Sequence, residues 1–179
     1  MNLITRKKSL TEYTEFYNII KDIISNSTVQ EMRNFRQHYE TSTFEHCFNV
    51  SLLNYKICKK LGLDYKSAAR AGMVHDLFLY DWRKSSQNLD GLHAFVHPKI
   101  AQKNASKLFD LTDKEKDIIL KHMWPVTFFN FPKYFESFII TLTDKYSAIQ
   151  ESFGFYNSFL KKKKIYKYAY IFLCLLIFA

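Results

Sequence analysis

Only four glycines and three prolines interrupt the 179 residues of this chain. Those two residue types are the strongest local breakers of regular structure. So few of them, so widely spaced, favour long helices joined by few tight turns. The apolar residues agree. Tyr13, Phe16, Ile19, Ile20 and Ile23 recur at helical spacing and predict a helix over Leu10–Ser25. A polar stretch, Asn26 to Gln30, follows, and a second helical stretch starts near Glu31. Thr41, Ser42 and Thr43 open a helix to Leu61, with Gly62 as its stop. Asp64 can cap the next, Tyr65 to about Leu79.

Residues 80–97, with Ser85, Ser86, Asn88, Asp90 and Gly91, predict a long loop, and loops of that length are often functional. Pro98 suits the first position of a helix to Phe109. Thr112 and Glu115 have capping-box spacing for a helix through Met123, which Pro125 ends. Pro132 opens a last helix to about Ser152, with an apolar stripe of Phe135, Phe138, Ile139, Leu142, Tyr146 and Ile149. No segment alternates as a strand would. The expected fold is therefore all-α. It comprises an N-terminal helix over 1–30 packed on the domain, a helical domain over 31–155 and a tail over 156–179.

That tail is basic and then apolar. Five lysines and no acid follow Leu160, so residues 1–160 carry 21 basic and 17 acidic residues, a net charge of +4. So mild an excess favours an anionic substrate without demanding nucleic acid. Residues 165–179 are apolar but only 15 long, about 22 Å as a helix against a bilayer core of about 30 Å. A segment packed on the body is expected, with weak membrane association through residues 165–179 as the alternative. Cys47, Cys58 and Cys174 form no CxxC pair and are expected to be reduced. No apolar stretch of signal-peptide length opens the chain. The expected location is the cytoplasm.

Six histidines are candidates for chemistry: His38, His46, His75, His93, His97 and His122. His75 is followed at once by Asp76. Upstream on the same helical face lie Ala68, Ala71 and Gly72, small enough to let a neighbouring helix approach. Asp144 departs from the stripe of an otherwise apolar helix. An unpaired carboxylate there is costly to bury. A metal ion, a basic partner or exposure to solvent would each resolve that cost.

The order His46, His75-Asp76, Asp144 resembles the H…HD…D signature of the HD-domain superfamily of metal-dependent phosphohydrolases. The flanking text is similar too: TSTFEHCFNVSLLNY, ARAGMVHDLFLYDW and LTDKYSA. The resemblance covers about residues 35–150 and implies an HD-domain helical bundle. His97 and His122 resemble the two further histidines of two-metal members. The implied ligand set is His46, His75, Asp76, His97, His122 and Asp144, with Asp76 bridging. It would hold one or two divalent ions (Mn, Fe, Ni, Zn or Mg).

The implied activity is hydrolysis of a phosphomonoester or phosphoanhydride by metal-activated hydroxide. Asp76 and Asp81 are the expected catalytic carboxylates. Arg70, Lys121 and Lys145 are the expected substrate-binding cations. The expected partner is a small phosphorylated molecule, nucleotides among the candidates, and not polymeric nucleic acid. Tyr80, Trp82, Trp124, Phe128 and Phe129 either stack on a base or fill the core. The chain departs from the family pattern at Leu79, where deoxynucleotidase-type members place a Glu general acid. It also lacks the Gly and Lys that follow the dyad in cyclic-dinucleotide phosphodiesterases. The alternative is a metal- or nucleotide-binding regulatory module without turnover.

Overall fold

Helix α1 (Leu3–Ile24) buries Phe16, Ile20 and Ile23 against the rest of the molecule, as their spacing predicts. The computed structural model of the chain describes residues 3–38, 40–84 and 91–162. After α1, Asn26 caps a single turn, α2 (Ser27–Gln30), by accepting from the backbone N–H of Thr28 and Val29. The helix expected from Glu31 is one 3₁₀ turn, Glu31–Asn34. The chain then forms a small antiparallel ribbon of β1 (Arg36–His38) and β2 (Thr41–Ser42). No strand was expected. Elements of three and two residues are too short to show a period.

Helix α3 (Thr43–Lys60) starts with a capping box between Ser42 and Glu45. It ends in a Schellman motif: Gly62 at φ +70° donates to the Lys59 carbonyl, and Leu63 donates to that of Cys58. Asp64 caps α4 (Tyr65–Val74) through the Ser67 N–H. Helix α4 stops at Val74, five residues before the expected end. Leu77 and Phe78 are buried without being helical. A short apolar run reads alike in a helix or a buried connection.

Helix α5 (His93–Leu108) begins within the expected loop, and Pro98 lies inside it rather than at its first position. Residues 85–90 of that loop lie outside the described residues. The Thr112–Glu115 capping box opens α6 (Asp113–Lys121), as expected. Helix α7 (Phe135–Lys162) starts three residues after Pro132 and runs continuously across residue 155, where the tail was expected to begin. Residues 163–179, the proposed anchor or packed tail, and Cys174 lie outside the described residues. Cys47 and Cys58 are buried free thiols. Among the described residues no helix is long and apolar enough to cross a membrane.

The core collects Phe16 and Ile20 from α1, Val50 and Tyr55 from α3, Met73 and Val74 from α4, Ile118 and Ile119 from α6, and Ile140 from α7. Each such side chain, fully buried, stabilises the fold by about 1.5–3 kcal/mol. Helix α4 lies close against α3 at Gly72. A Cβ on Gly72 would lie 2.9 Å from the Ser51 Cα. Ser51 Oγ also donates to the Ala69 carbonyl at 2.6 Å.

Helix α7 inverts the expected stripe. Leu142, at 67 % exposure, Tyr146, Ile149 and Phe135 face outward. The buried face carries Glu136, Ser137, Ile140, Thr141, Thr143, Asp144 and Ser147. Most of those polar groups have partners, the exception being Ser147 Oγ. Ser137 donates to Asp117, Thr143 to the Asn54 side-chain oxygen, and Lys114 and the Asp64 N–H donate to Glu136. The hydrogen bonds, not the apolar stripe, decide which face turns inward.

Candidate metal centre

Three helices and the C-terminal ends of two more bring six side chains together. His46 comes from the first turn of α3 and Asp144 from the middle of α7. His75 is the C-cap of α4, and Asp76 is the residue after it. His97 projects from α5, and His122 is the C-cap of α6. The C-terminal carbonyls of a helix lack intrahelical donors. His75 and His122 use this, donating Nδ1–H to the carbonyls of Gly72 and Ile119, each at 2.8 Å. His97 Nδ1 makes the same bond to the His93 carbonyl at 2.8 Å. These three contacts fix the tautomer and aim each Nε2 inward.

The Nε2 atoms converge on Asp76. Its Oδ1 is 3.2 Å from His97 Nε2 and 3.4 Å from His122 Nε2, and the two nitrogens are 2.8 Å apart. With Nδ1 carrying the proton, three lone-pair atoms face one another. Asp76 Oδ1 is buried with no hydrogen-bond donor. On the other side, His46 Nε2 is 3.0 Å from Asp144 Oδ1. His75 Nε2 is 3.8 Å from that same oxygen and 3.6 Å from Asp76 Oδ2, and it too is buried without a hydrogen-bond partner. The His75 spacings are wide for hydrogen bonds. They suit donor atoms that share an ion at about 2.0–2.2 Å from each. The residues present therefore fit a divalent cation. Buried His46, His75 and Asp76 form one group able to hold it, and Asp76, His97 and His122 form another.

The charges point the same way. Burial penalises both carboxylates. Even so, the imidazoles of His75 and His97 hold Asp76, and those of His46 and His75 hold Asp144, well below the usual carboxylate range. Burial also opposes charge on His46, but the Asp144 and Glu151 carboxylates outweigh it and push its pKa up to about 10. His75 is raised as well, Asp76 overcoming its burial. The protons on His46 and His75 stand where a divalent cation would place the same charge. Burial, with the nearby His97 and His75, pushes His122 down to about 3 and leaves it neutral, the form that ligates metal.

Several expected site residues lie elsewhere. Arg70 is not brought to the cluster: its guanidinium pairs with Asp22 at 2.7 Å and Glu115 at 3.2 Å, tying α1, α4 and α6 together. Asp81 is held in a turn, where Oδ1 accepts from the Arg83 N–H and Oδ2 pairs with Lys84 at 3.5 Å. Lys121 is half-buried at the end of α6 and makes no ion pair with a described residue. Lys145 does reach the centre. Its Nζ donates to the His122 carbonyl at 3.2 Å and lies 3.8 Å from Asp144 Oδ2.

Two partners of the cluster had gone unread in the sequence. Gln37, on β1, donates from Nε2 to Asp76 Oδ2 at 2.6 Å, and a short ribbon leaves no pattern from which to find it. Glu151 meets His46, and its signal was its place seven residues after Asp144 on one helix. His93 sits behind His97, stacked between it and Trp82. Burial, with the His97 imidazole next to it, pushes His93 down to about 4. Trp124 packs edge-on against Phe131 and Phe138, whereas Phe128 and Phe129 stand in solvent.

Among curated proteins, the chain is 30 % identical over 70 residues to Ribonuclease Y of Lawsonia intracellularis, covering 39 % of this chain and 13 % of that protein. It is 29 % identical over 69 residues to Ribonuclease Y of Geobacter metallireducens and of Geobacter sulfurreducens, covering 38 % of this chain and 12 % of each. The alignment thus spans about an eighth of the length of the curated relatives it matches. No family model matches the chain, and no solved structure matches it significantly. The relatives overturn one expectation, the exclusion of polymeric nucleic acid, because a ribonuclease acts on RNA. The chain is an all-α protein with buried His and Asp clusters placed to coordinate a metal ion, and it is distantly similar to Ribonuclease Y.

Proposed function

We propose that this protein is an HD-type metal-dependent phosphohydrolase and that its substrate class is the phosphodiester linkage of RNA. The observation that carries the hydrolase reading is the convergence of Asp76 Oδ1, His97 Nε2 and His122 Nε2 as donor-free lone pairs beside the His46, His75 and Asp144 group. Two ions, drawn from Mn, Fe, Ni, Zn or Mg, would be held with Asp76 between them. When bound, they supply Lewis-acid charge for phosphate oxygens and a hydroxide nucleophile near neutral pH.

The chain's own residues do the rest. Gln37 holds Asp76 Oδ2 and so fixes the carboxylate that faces both groups. Lys145, 38 % exposed and beside Asp144, can meet a phosphate oxygen from the solvent side. RNA is favoured by the ribonuclease relatives and by exposed aromatics in the loop after His122. Phe129 is 98 % exposed, so its ring has a face open for a base to stack on.

The test is metal analysis followed by Mn-supplemented assay against RNA oligomers, nucleotides and simple phosphoesters. At 100-fold excess over its Kd, an ion that binds only the native state stabilises it by about 2.7 kcal/mol. For a chain of this size Mn²⁺ should therefore raise Tm by about 5–10 °C, and a chelator should reverse the rise. No shift and no bound metal would remove the basis of the reading. A second prediction concerns the loop. Phe129→Ala should raise KM for RNA oligomers about 5- to 150-fold, the worth of one base stack of about 1–3 kcal/mol. Hydrolysis of a simple phosphoester should not change. An equal loss on both would place Phe129 in the fold rather than on the substrate.

One observation favours the non-catalytic alternative. Leu79 is packed against the core and Asp81 is tied up in its turn, so neither is placed to protonate a leaving group. Bound metal with no turnover on any member of the panel would select that alternative.

A further inference from the structure

His46 differs from the other three imidazoles of the centre. His75, His97 and His122 each give Nδ1–H to a backbone carbonyl of their own helix. His46 lies in the first turn of α3, where the free backbone groups are N–H donors. Its Nδ1 instead lies 3.0 and 3.2 Å from the two carboxylate oxygens of Glu151. His46 is fully buried, and the Glu151 side chain is only 8 % exposed. Asn49 also holds that carboxylate, Nδ2 donating to Oε1 at 3.4 Å.

Asp144 and Glu151 are seven residues apart on α7, two turns along one face. One helix thus grips both nitrogens of the same ring, Asp144 at Nε2 and Glu151 at Nδ1. We propose that Glu151 is a positioning residue of the metal centre: it holds the proton on His46 Nδ1 and thereby presents the Nε2 lone pair as a ligand. The proposal rests on the metal-centre reading above. A carboxylate behind a ligating imidazole fixes ring and tautomer and makes the nitrogen a stronger donor.

His38 lies near enough for His38, His46 and Glu151 to be read as a separate cation group. That use would take the His46 Nδ1 lone pair, and the ring would then have to serve two cations as an imidazolate. Donation of Nδ1–H to Glu151 asks for no such deprotonation.

The experiment compares full-length wild type with Glu151→Ala and Glu151→Gln. It reads Mn²⁺ affinity by calorimetry, ions per chain at saturation, and the ¹⁵N shifts of the His46 ring in Zn²⁺-loaded protein. Glu151→Ala should weaken Mn²⁺ binding about 10- to 100-fold with the same count at saturation, and it should shift the His46 ring signals. Glu151→Gln keeps an oxygen that accepts from Nδ1–H, so it should keep the tautomer and lose less affinity. Unchanged affinity in Glu151→Ala overturns the proposal. So does the loss of one ion per chain at saturation, which would make Glu151 a ligand. A wild-type protein that binds no Mn²⁺ refutes the metal centre, and the proposal with it. Unaltered ring shifts in Glu151→Ala, with metal binding intact in wild type, refute the positioning role alone.

Discussion

Asp76→Asn should retain the fold and lose the centre: fewer metal ions per chain than wild type, and turnover at least about 10³-fold lower, equivalent to about 4 kcal/mol of barrier. Asp76 is the residue that faces both halves of the cluster, with Oδ1 toward His97 and His122 and Oδ2 near His75. Asparagine has nearly the same shape, but it lacks the charge and one of the two acceptor oxygens. Its amide N–H₂ can donate to the Nε2 atoms that Asp76 Oδ1 leaves without a proton between them. The metal-free variant should therefore melt no more than a few degrees below metal-free wild type. Asp76→Ala serves as the contrast. It opens a cavity and, unlike asparagine, leaves the buried Gln37 Nε2 and the His97–His122 pair with no side chain to meet, a loss of about 1–3 kcal/mol for each polar group so orphaned. Metal analysis, melting of chelator-treated protein and an RNA-oligomer assay check the three statements. Asp76→Asn protein with full metal content would sink the bridging role.

The sequence located the cluster better than it located the elements that build it. His46, His75, Asp76 and Asp144 could be read from their order and flanking text, although only His75 is held by a partner on its own helix. Helix starts marked by side-chain caps at Ser42, Asp64 and Thr112 were likewise legible. The failures share a cause. Pro98 sits inside α5, and the LFLY run after the dyad is buried without being helical, so tertiary burial overrode local signals at both places. The outward stripe of α7 is the sharpest case. Its inward face is chosen by hydrogen bonds with Asn54, Lys114 and Asp117, residues 20 to 89 positions from their partners in the chain, and no periodicity encodes them. Gln37 and the displaced Arg70 have the same origin, since their partners come from other elements.

Gly72 is where packing and the centre meet, and its substitution should damage both. Alanine there gains helix propensity of about 1 kcal/mol over glycine. Against this, its Cβ would lie 2.9 Å from the Ser51 Cα, 3.0 Å from Asn54 Nδ2 and 3.3 Å from the Ser51 N. Two of those atoms are backbone and cannot swing aside, so α3 and α4 must part. Overpacking of this kind costs about 1–3 kcal/mol. Gly72→Ala should therefore be net destabilising by up to about 2 kcal/mol. Gly72→Val has no propensity gain and two more methyl groups, and should lose about 3 kcal/mol or more, a Tm fall of roughly 6–12 °C. The damage should not stop at stability. The Gly72 carbonyl fixes His75 Nδ1–H, and Ser51 lies on the helix that carries His46, so a forced separation displaces two ligands at once. Metal affinity should fall with Tm across the Ala and Val variants. Gly62 is the control. Nothing lies within 4 Å of its would-be Cβ, but its φ of +70° strains any other residue. Gly62→Ala should therefore cost about 1 kcal/mol and leave metal affinity unchanged. If Gly72→Ala melts above wild type, or if Gly62→Ala weakens the metal as much as Gly72→Val does, the α3–α4 contact is not what aligns the centre.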